Sequence, residues 1–228
     1  MHMKLAVLVS GSGSNLQSII DHVEAGHINA EIAVVFSNKE DAYGLTRASS
    51  HGIPTAVIRH TEYSDREQFD AAMVQVLKDH GADTIALAGF MRMLTPVFLN
   101  AFPMRVINIH PALLPSFPGT HGQRDAADFG VRLAGCTVHF VDEKMDHGPV
   151  IIQAATPVAP GVDGDTLAGQ ILRLEHRIYP QALAWLADGR ISLDGRHVHI
   201  AGAEEPVCDT DGVGPFLVNP PLEKAFAS

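Results

Sequence analysis

Lys4-Leu5-Ala6-Val7-Leu8-Val9 runs straight into Ser10-Gly11-Ser12-Gly13-Ser14-Asn15-Leu16, and this junction decides the fold. The apolar run lacks polar alternation, which predicts a strand covered on both faces, as in a parallel sheet. Ile19, Ile20 and Val23 then recur at helical spacing. Strand, glycine-rich turn and helix together open a βαβ unit. Glycines let the backbone turn tightly and present amide hydrogens, and the helix N-terminus adds partial positive charge, so the junction is suited to an anion. A dinucleotide fingerprint needs a third glycine where Leu16 stands, and a Walker loop needs a Gly-Lys-Ser/Thr that is absent. A terminal phosphate monoester held by amides of Gly13, Ser14 and Asn15 fits better. The alternative is a plain tight turn in which Ser14 caps the helix.

Outward from this junction the same rhythm continues. Glu31 to Phe36, Thr55 to Ile58, Asp83 to Ala88 and Arg105 to Ile109 are further strand candidates. Between them, Ser64 to His80 places Phe69, Met73, Val76, Leu77 and His80 on one stripe, with Ser64 or Asp65 as cap. A shorter helix begins near Thr95, with Pro96 at its first position. After residue 135 the pattern changes. Cys136 to Val141 and Val150 to Val158 are separated by a connection too short for a crossover helix, so the pair is expected to be antiparallel. Asp163 to Leu186 reads as a long helix bent where Pro180 removes a backbone donor. Arg190 to Leu193 and His197 to Ile200 read as a hairpin through Asp194-Gly195. The expectation is one α/β domain over residues 1–202 and an irregular tail over 203–228, where prolines, glycines and acids follow no period.

The strand Val106-Ile107-Asn108-Ile109-His110 stops at Pro111. In open α/β sheets, ligands bind at the carboxyl ends of strands. Asn108 and His110 share one strand face, and an apolar strand has little reason to carry two polar side chains there unless they meet a partner or substrate. The competing reading is a satisfied core histidine beside a chain-turning asparagine. Asp142 to Pro149 carries three acids, of which Asp146 is held nearest to a fixed backbone position. A carboxylate beside a histidine stabilises imidazolium and orders water, so Asn, His and Asp together read as oxyanion donor, acid/base and orienter. No Gly-x-Ser-x-Gly elbow is present, which favours direct attack by a substrate amine or water. No ligand spacing supports a metal site.

Composition narrows the class. The 228 residues are 46% hydrophobic and 18% charged, enough for a packed core. The formal charge of −10 repels polyanions and disfavours a nucleic-acid binder. Two cysteines form no disulfide framework and imply a reducing, cytoplasmic compartment. No apolar run approaches the roughly 18 to 20 residues of a membrane span.

Six stretches taken together resemble the phosphoribosylglycinamide formyltransferases, folate-dependent enzymes of purine synthesis. They are Ser-Gly-Ser-Gly-Ser-Asn-Leu-Gln (10–17), Val-Phe-Ser-Asn (35–38), Leu-Ala-Gly-Phe-Met-Arg (87–92), Asn-Ile-His-Pro-Ala-Leu-Leu-Pro (108–115), Gly-Cys-Thr-Val-His-Phe-Val (135–141) and Asp-His-Gly-Pro-Val-Ile (146–151). The likeness implies a Rossmann-like formyltransferase fold: a mostly parallel twisted sheet with helices on both faces and an antiparallel C-terminal strand pair. It implies formyl transfer from 10-formyltetrahydrofolate, as cosubstrate and without a metal, to the amine of glycinamide ribonucleotide. Asn108, His110 and Asp146 fall on the catalytic positions. Gly13, Ser14, Asn15, Arg66 and Glu175 fall on the ribonucleotide site. Met91, Arg92, Met93 and Leu94, with Val141, Asp142, Glu143, Lys144 and Met145, fall on the folate pocket. Core packing competes for Met91 and Met93, and is the preferred reading for Met93. The N-terminal half is expected on the ribonucleotide side and the C-terminal half on the folate side. Ala112 stands where the resembled family usually has serine. The partners implied are small molecules, with no nucleic acid or membrane, and a homodimer is compatible.

Two sister activities compete. Methionyl-tRNA formyltransferase would need a further tRNA-binding domain, for which 228 residues leave no room, and the acidic charge opposes tRNA. Formyltetrahydrofolate hydrolase would need an N-terminal regulatory domain, whereas the first strand here begins at Lys4. A non-catalytic nucleotide-binding module would have no use for the triad.

Overall fold

The computed structural model describes residues 2–203 and 217–226, and these divide into two compact units. Of the described residues, the first comprises 2–108 with 140–143, and the second 109–139 with 144–203 and 217–226. The boundary thus falls inside the segment expected to be one domain.

The first unit is the βαβ pattern expected. Its elements are β1 (Met3–Val9), α1 (Ser14–Glu24), β2 (Ala30–Ser37), α2 (Tyr43–Ser50), β3 (Thr55–Val57), α3 (Arg66–Asp79), β4 (Thr84–Leu87), α4 (Pro96–Ala101) and the start of β5 (Val106–His110). The strands lie in the order β5-β4-β1-β2-β3, and each pairing is parallel. β1 is central and buried almost throughout, which is why its sequence shows no polar alternation. Phe69, Met73 and Leu77 of α3 pack with Leu8, Phe36, Leu87 and Phe98 into one core. Asp65 caps α3 by accepting from the Gln68 amide at 2.8 Å.

The second unit carries α5 (Gly122–Phe129), β6 (Leu133–Phe140), β7 (Val150–Pro157), α6 (Gly164–Ala187), β8 (Ile191–Asp194), β9 (His197–Ile200) and β10 (Leu217–Asn219). β6 and β7 are antiparallel, and their register shifts between Val138 and His139. Gly135 is obligatory in this pair, because a Cβ there would stand 1.9 Å from the Ala154 carbonyl oxygen. β8 and β9 form the expected hairpin. α6 is continuous from Gly164 to Ala187, with Pro180 inside it. The expected α/β class, mostly parallel with an antiparallel pair late in the chain, is what forms.

The tail departs from expectation. Residues 204–216 lie outside the described residues, but Leu217–Asn219 pairs antiparallel with Gln153–Ala155 of β7. Beyond it, the Glu223 carboxylate accepts from Trp185 Nε1 at 3.0 Å and from the Arg190 guanidinium, while the Glu223 amide donates to Gln181. Phe226 is buried. An edge strand offers unpaired backbone groups to any segment that reaches it, a pull that local periodicity does not register.

Candidate active site

In the first unit, the loop after β1 is held from outside by α2. The Gly44 amide donates to the Gly11 carbonyl at 3.0 Å, and Arg47 Nε donates to the Ser12 carbonyl at 2.9 Å. Gly13 has φ 68° and is the N-cap of α1, with no side-chain cap. A Cβ at Gly13 would fall 2.6 Å from Gly44 Cα, so both its conformation and its surroundings demand glycine. The alternative in which Ser14 caps the helix is thereby set aside, since Ser14 is the first helical residue. The first turn of α1 contains no acid, so its positive end is not neutralised from within. The loop can therefore receive an anion on main-chain donors.

Arg66 opens α3, and its guanidinium donates to the Met93 carbonyl at 2.9 Å. Met91 is 61% exposed and Met93 42% exposed, which overturns core packing for Met93. Leu94 belongs to the core, and Arg92 lies over the Phe69 ring at 5.1 Å. Asp70 is buried behind this segment and accepts from the Thr95 amide at 2.6 Å. Burial pushes its carboxyl above the ordinary range, opposed by the Thr95 amide and hydroxyl and by the charges of Arg66 and Arg92. Val141 packs against the same core and its amide donates to Val106, while Asp142 and Glu143 follow it. Asn108 is half-buried in β5, in register with Leu87.

The second unit holds His110, two positions further along β5. The ring is buried; its Nε2 lies 2.9 Å from the Phe117 carbonyl and its Nδ1 3.4 Å from Asp146 Oδ2. A carbonyl can only accept, so Nε2 carries a proton. Asp146 Oδ2 also accepts from the Gly119 amide at 2.8 Å, and Oδ1 lies 3.8 Å from His139 Nε2. Asp146 has φ 49°, a conformation that non-glycine residues adopt rarely and chiefly where the surroundings enforce it. The carboxylate is thus shared by two imidazoles and one amide, an arrangement that can stabilise an imidazolium and hold a proton near it.

Sequence reasoning does not single out His139. The signal was nonetheless present, because Thr137 and His139 are alternate polar residues in an apolar strand, the pattern that singled out Asn108 and His110. The Val138/His139 register shift re-aims the side chain near the strand end. Thr137 fixes the segment after His110: its hydroxyl donates to Ala112 O at 2.7 Å and accepts from the Leu114 amide. The two backbone partners, Phe117 O and Gly119 N–H, carry no side-chain signal at all.

Glu175 is buried on α6. Burial, and secondarily the Glu175 carboxylate, push the Cys136 thiol well above its ordinary range. Lys144 and Met145 are exposed beside Asp146. Met91 to Leu94 and Val141 to Glu143 belong to the first unit, and Glu175 to the second. Among the described residues, no group of three or more His, Cys, Asp and Glu is arranged to hold a metal ion, and no helix is long and apolar enough to cross a membrane.

A family described as formyl transferase matches residues 3–183. The chain is 41% identical over 204 residues to the phosphoribosylglycinamide formyltransferase of Escherichia coli K12, covering 90% of this chain and 96% of that protein. It is 47% identical over 188 residues to the trifunctional purine biosynthetic protein adenosine-3 of Drosophila melanogaster, but spans only 14% of that longer protein. Among solved structures, glycinamide ribonucleotide transformylase 1 from Symbiobacterium toebii superposes with a TM-score of 0.86 at 48% identity, over 87% of this chain and 94% of that one.

Proposed function

The chain belongs to the formyl transferase family, and from that membership we propose that it moves a formyl group from 10-formyltetrahydrofolate to the amine of glycinamide ribonucleotide, a step of purine biosynthesis. The observation that carries this reading is the nearly end-to-end likeness to the Escherichia coli phosphoribosylglycinamide formyltransferase. The loop at Gly13, Ser14 and Asn15 would take the ribonucleotide phosphate, with Arg66 adding a guanidinium and Glu175 accepting from ribose hydroxyls. Met91 and Met93 offer apolar surface to a pterin, and Arg92, Leu94 and Val141 to Met145 complete the donor site.

Asn108 donates its side-chain amide to the oxyanion that develops as the amine attacks the formyl carbon. His110 assists from two positions along the strand, and Asp146 stabilises its protonated form and orients the water that carries the proton to the departing folate nitrogen. What supports these roles is the His110–Asp146 distance of 3.4 Å and the restrained backbone of Asp146. The chain's acidity and the buried free thiol of Cys136 favour small-molecule substrates in a reducing cytoplasm.

An absorbance assay with a formyl-folate donor, run with and without glycinamide ribonucleotide, tests the reading. Transfer only with the nucleotide is the expected result. Formate release in its absence would assign a hydrolase instead.

A further inference from the structure

Val-Phe-Ser-Asn at 35–38 has no part in the roles above, yet its Asn38 is only 4% exposed at the end of β2. Ser10, at the end of β1, is 6% exposed. Buried amides and hydroxyls are costly unless hydrogen bonds satisfy them. Here the bonds form a directed chain with one consistent assignment. The Met91 amide donates to Ser10 Oγ at 3.0 Å, so the Ser10 hydroxyl hydrogen goes to Asn38 Oδ1 at 2.6 Å. Asn38 Nδ2 then donates to His60 Nδ1 at 3.3 Å. The Ser10 amide itself donates to the Gly89 carbonyl at 3.1 Å. Two bonds therefore tie Gly89 and Met91 to Ser10, and a third ties Ser10 to Asn38. The Met91 side chain is largely exposed, so between the buried Phe90 and Leu94 the bond from its amide to Ser10 Oγ is the polar tie on its own backbone.

We propose that Ser10 and Asn38 are positioning residues for the formyl donor. Through the Met91 amide they fix the 89–93 segment that presents Met91 and Met93, and they do so from strands that carry no donor-binding side chain. The inference rests on the formyl-transfer reading. Without the Ser10 hydroxyl, the Met91 amide loses its acceptor and Asn38 Oδ1 is left buried without its donor.

The test compares wild type with Ser10→Cys, which keeps the size but bonds weakly, and Ser10→Thr, which keeps the hydroxyl. Each substrate is varied in turn and thermal unfolding is recorded. Ser10→Cys is expected to raise KM for the formyl-folate about fivefold, the scale of one hydrogen bond, while KM for the ribonucleotide moves less than about twofold; Ser10→Thr restores the donor value. A merely structural role would lower the melting temperature and the active fraction without splitting the two KM values, and that result overturns the inference. If Ser10→Cys does not fold, His60→Phe decides at the half-exposed end of the chain. There a donor KM raised about twofold is expected, and an unchanged one overturns the inference. Absence of transfer in the wild type would instead defeat the formyl-transfer reading itself.

Discussion

The loop at Gly11 to Asn15 and the cluster around Asp146 both manage negative charge, by opposite constructions. The loop is contiguous and works through main-chain amides at the head of α1, where Gly13 is fixed by its φ of 68° and by Gly44 against it. The Asp146 cluster gathers side chains from positions 110, 139 and 146 with main-chain groups from 117 and 119. Backbone-built sites tolerate changes of side-chain chemistry but not an added Cβ. Side-chain-built sites show the reverse sensitivity, because their backbone is set elsewhere and their function lies in single titratable groups.

The largest effect is therefore expected at the cluster. Asp146→Ala and His110→Ala should each lower kcat by about 10² to 10⁴, the scale of a lost acid/base partner, while leaving the melting temperature within a few degrees. Asp146→Ala also tests the strain at φ 49°, since alanine has no short polar group to support that conformation. Steady-state kinetics beside calorimetric unfolding separates the two effects. A variant of either residue with near wild-type turnover would remove the cluster from the chemistry.

Gly13→Ala is the matching break in the loop. A methyl group 2.6 Å from Gly44 Cα in left-handed backbone should cost about 1–3 kcal/mol of stability and raise KM for the ribonucleotide more than tenfold. Ser14→Ala removes only a side chain from a position that does not cap the helix, so its effect should be much smaller. Equal effects of the two substitutions would abolish the contrast. Arg66→Ala should act more weakly again, raising KM for the ribonucleotide several-fold. Because its guanidinium also holds the Met93 carbonyl, KM for the donor should rise with it.

The contrast also explains what was legible. The loop could be read because glycines and a helix start are local signals on adjacent residues, and β1 could be read because burial on both faces leaves a continuous apolar run. Asn108, His110 and Asp146 were visible as polar residues at strand and turn ends. The distance from His110 to Asp146 was not, since it depends on how the end of β5 and the turn at Asp146 are carried by separate elements. His139 is harder to read because its alternation with Thr137 also suits a satisfied core pair, and the Val138/His139 shift that re-aims it leaves no mark in composition. Met93 shows the opposite case: its apolarity suggests burial, whereas its side chain is 42% exposed and Arg66 holds its carbonyl.

The tail supplies the smallest effect and the cleanest test of long-range construction. Burial alone would raise the Glu223 carboxyl, but hydrogen bonds from Trp185 and Arg190, the Arg190 charge and the Gln181 contact outweigh it and hold the group below its ordinary value of 4.5. A carboxyl depressed in the folded state stabilises above its unfolded-state value, and that stabilisation is lost as pH falls through the lower folded-state value. Its side chain is 42% exposed, so solvent screening limits the contribution to at most about 1 kcal/mol. Glu223→Gln should lower the melting temperature by a few degrees at pH 7, and the gap to wild type should close progressively below pH 4.5. A gap that stays constant from pH 7 to pH 3 would mean that the carboxylate charge contributes nothing and that β10 and the buried Phe226 alone hold the segment in place.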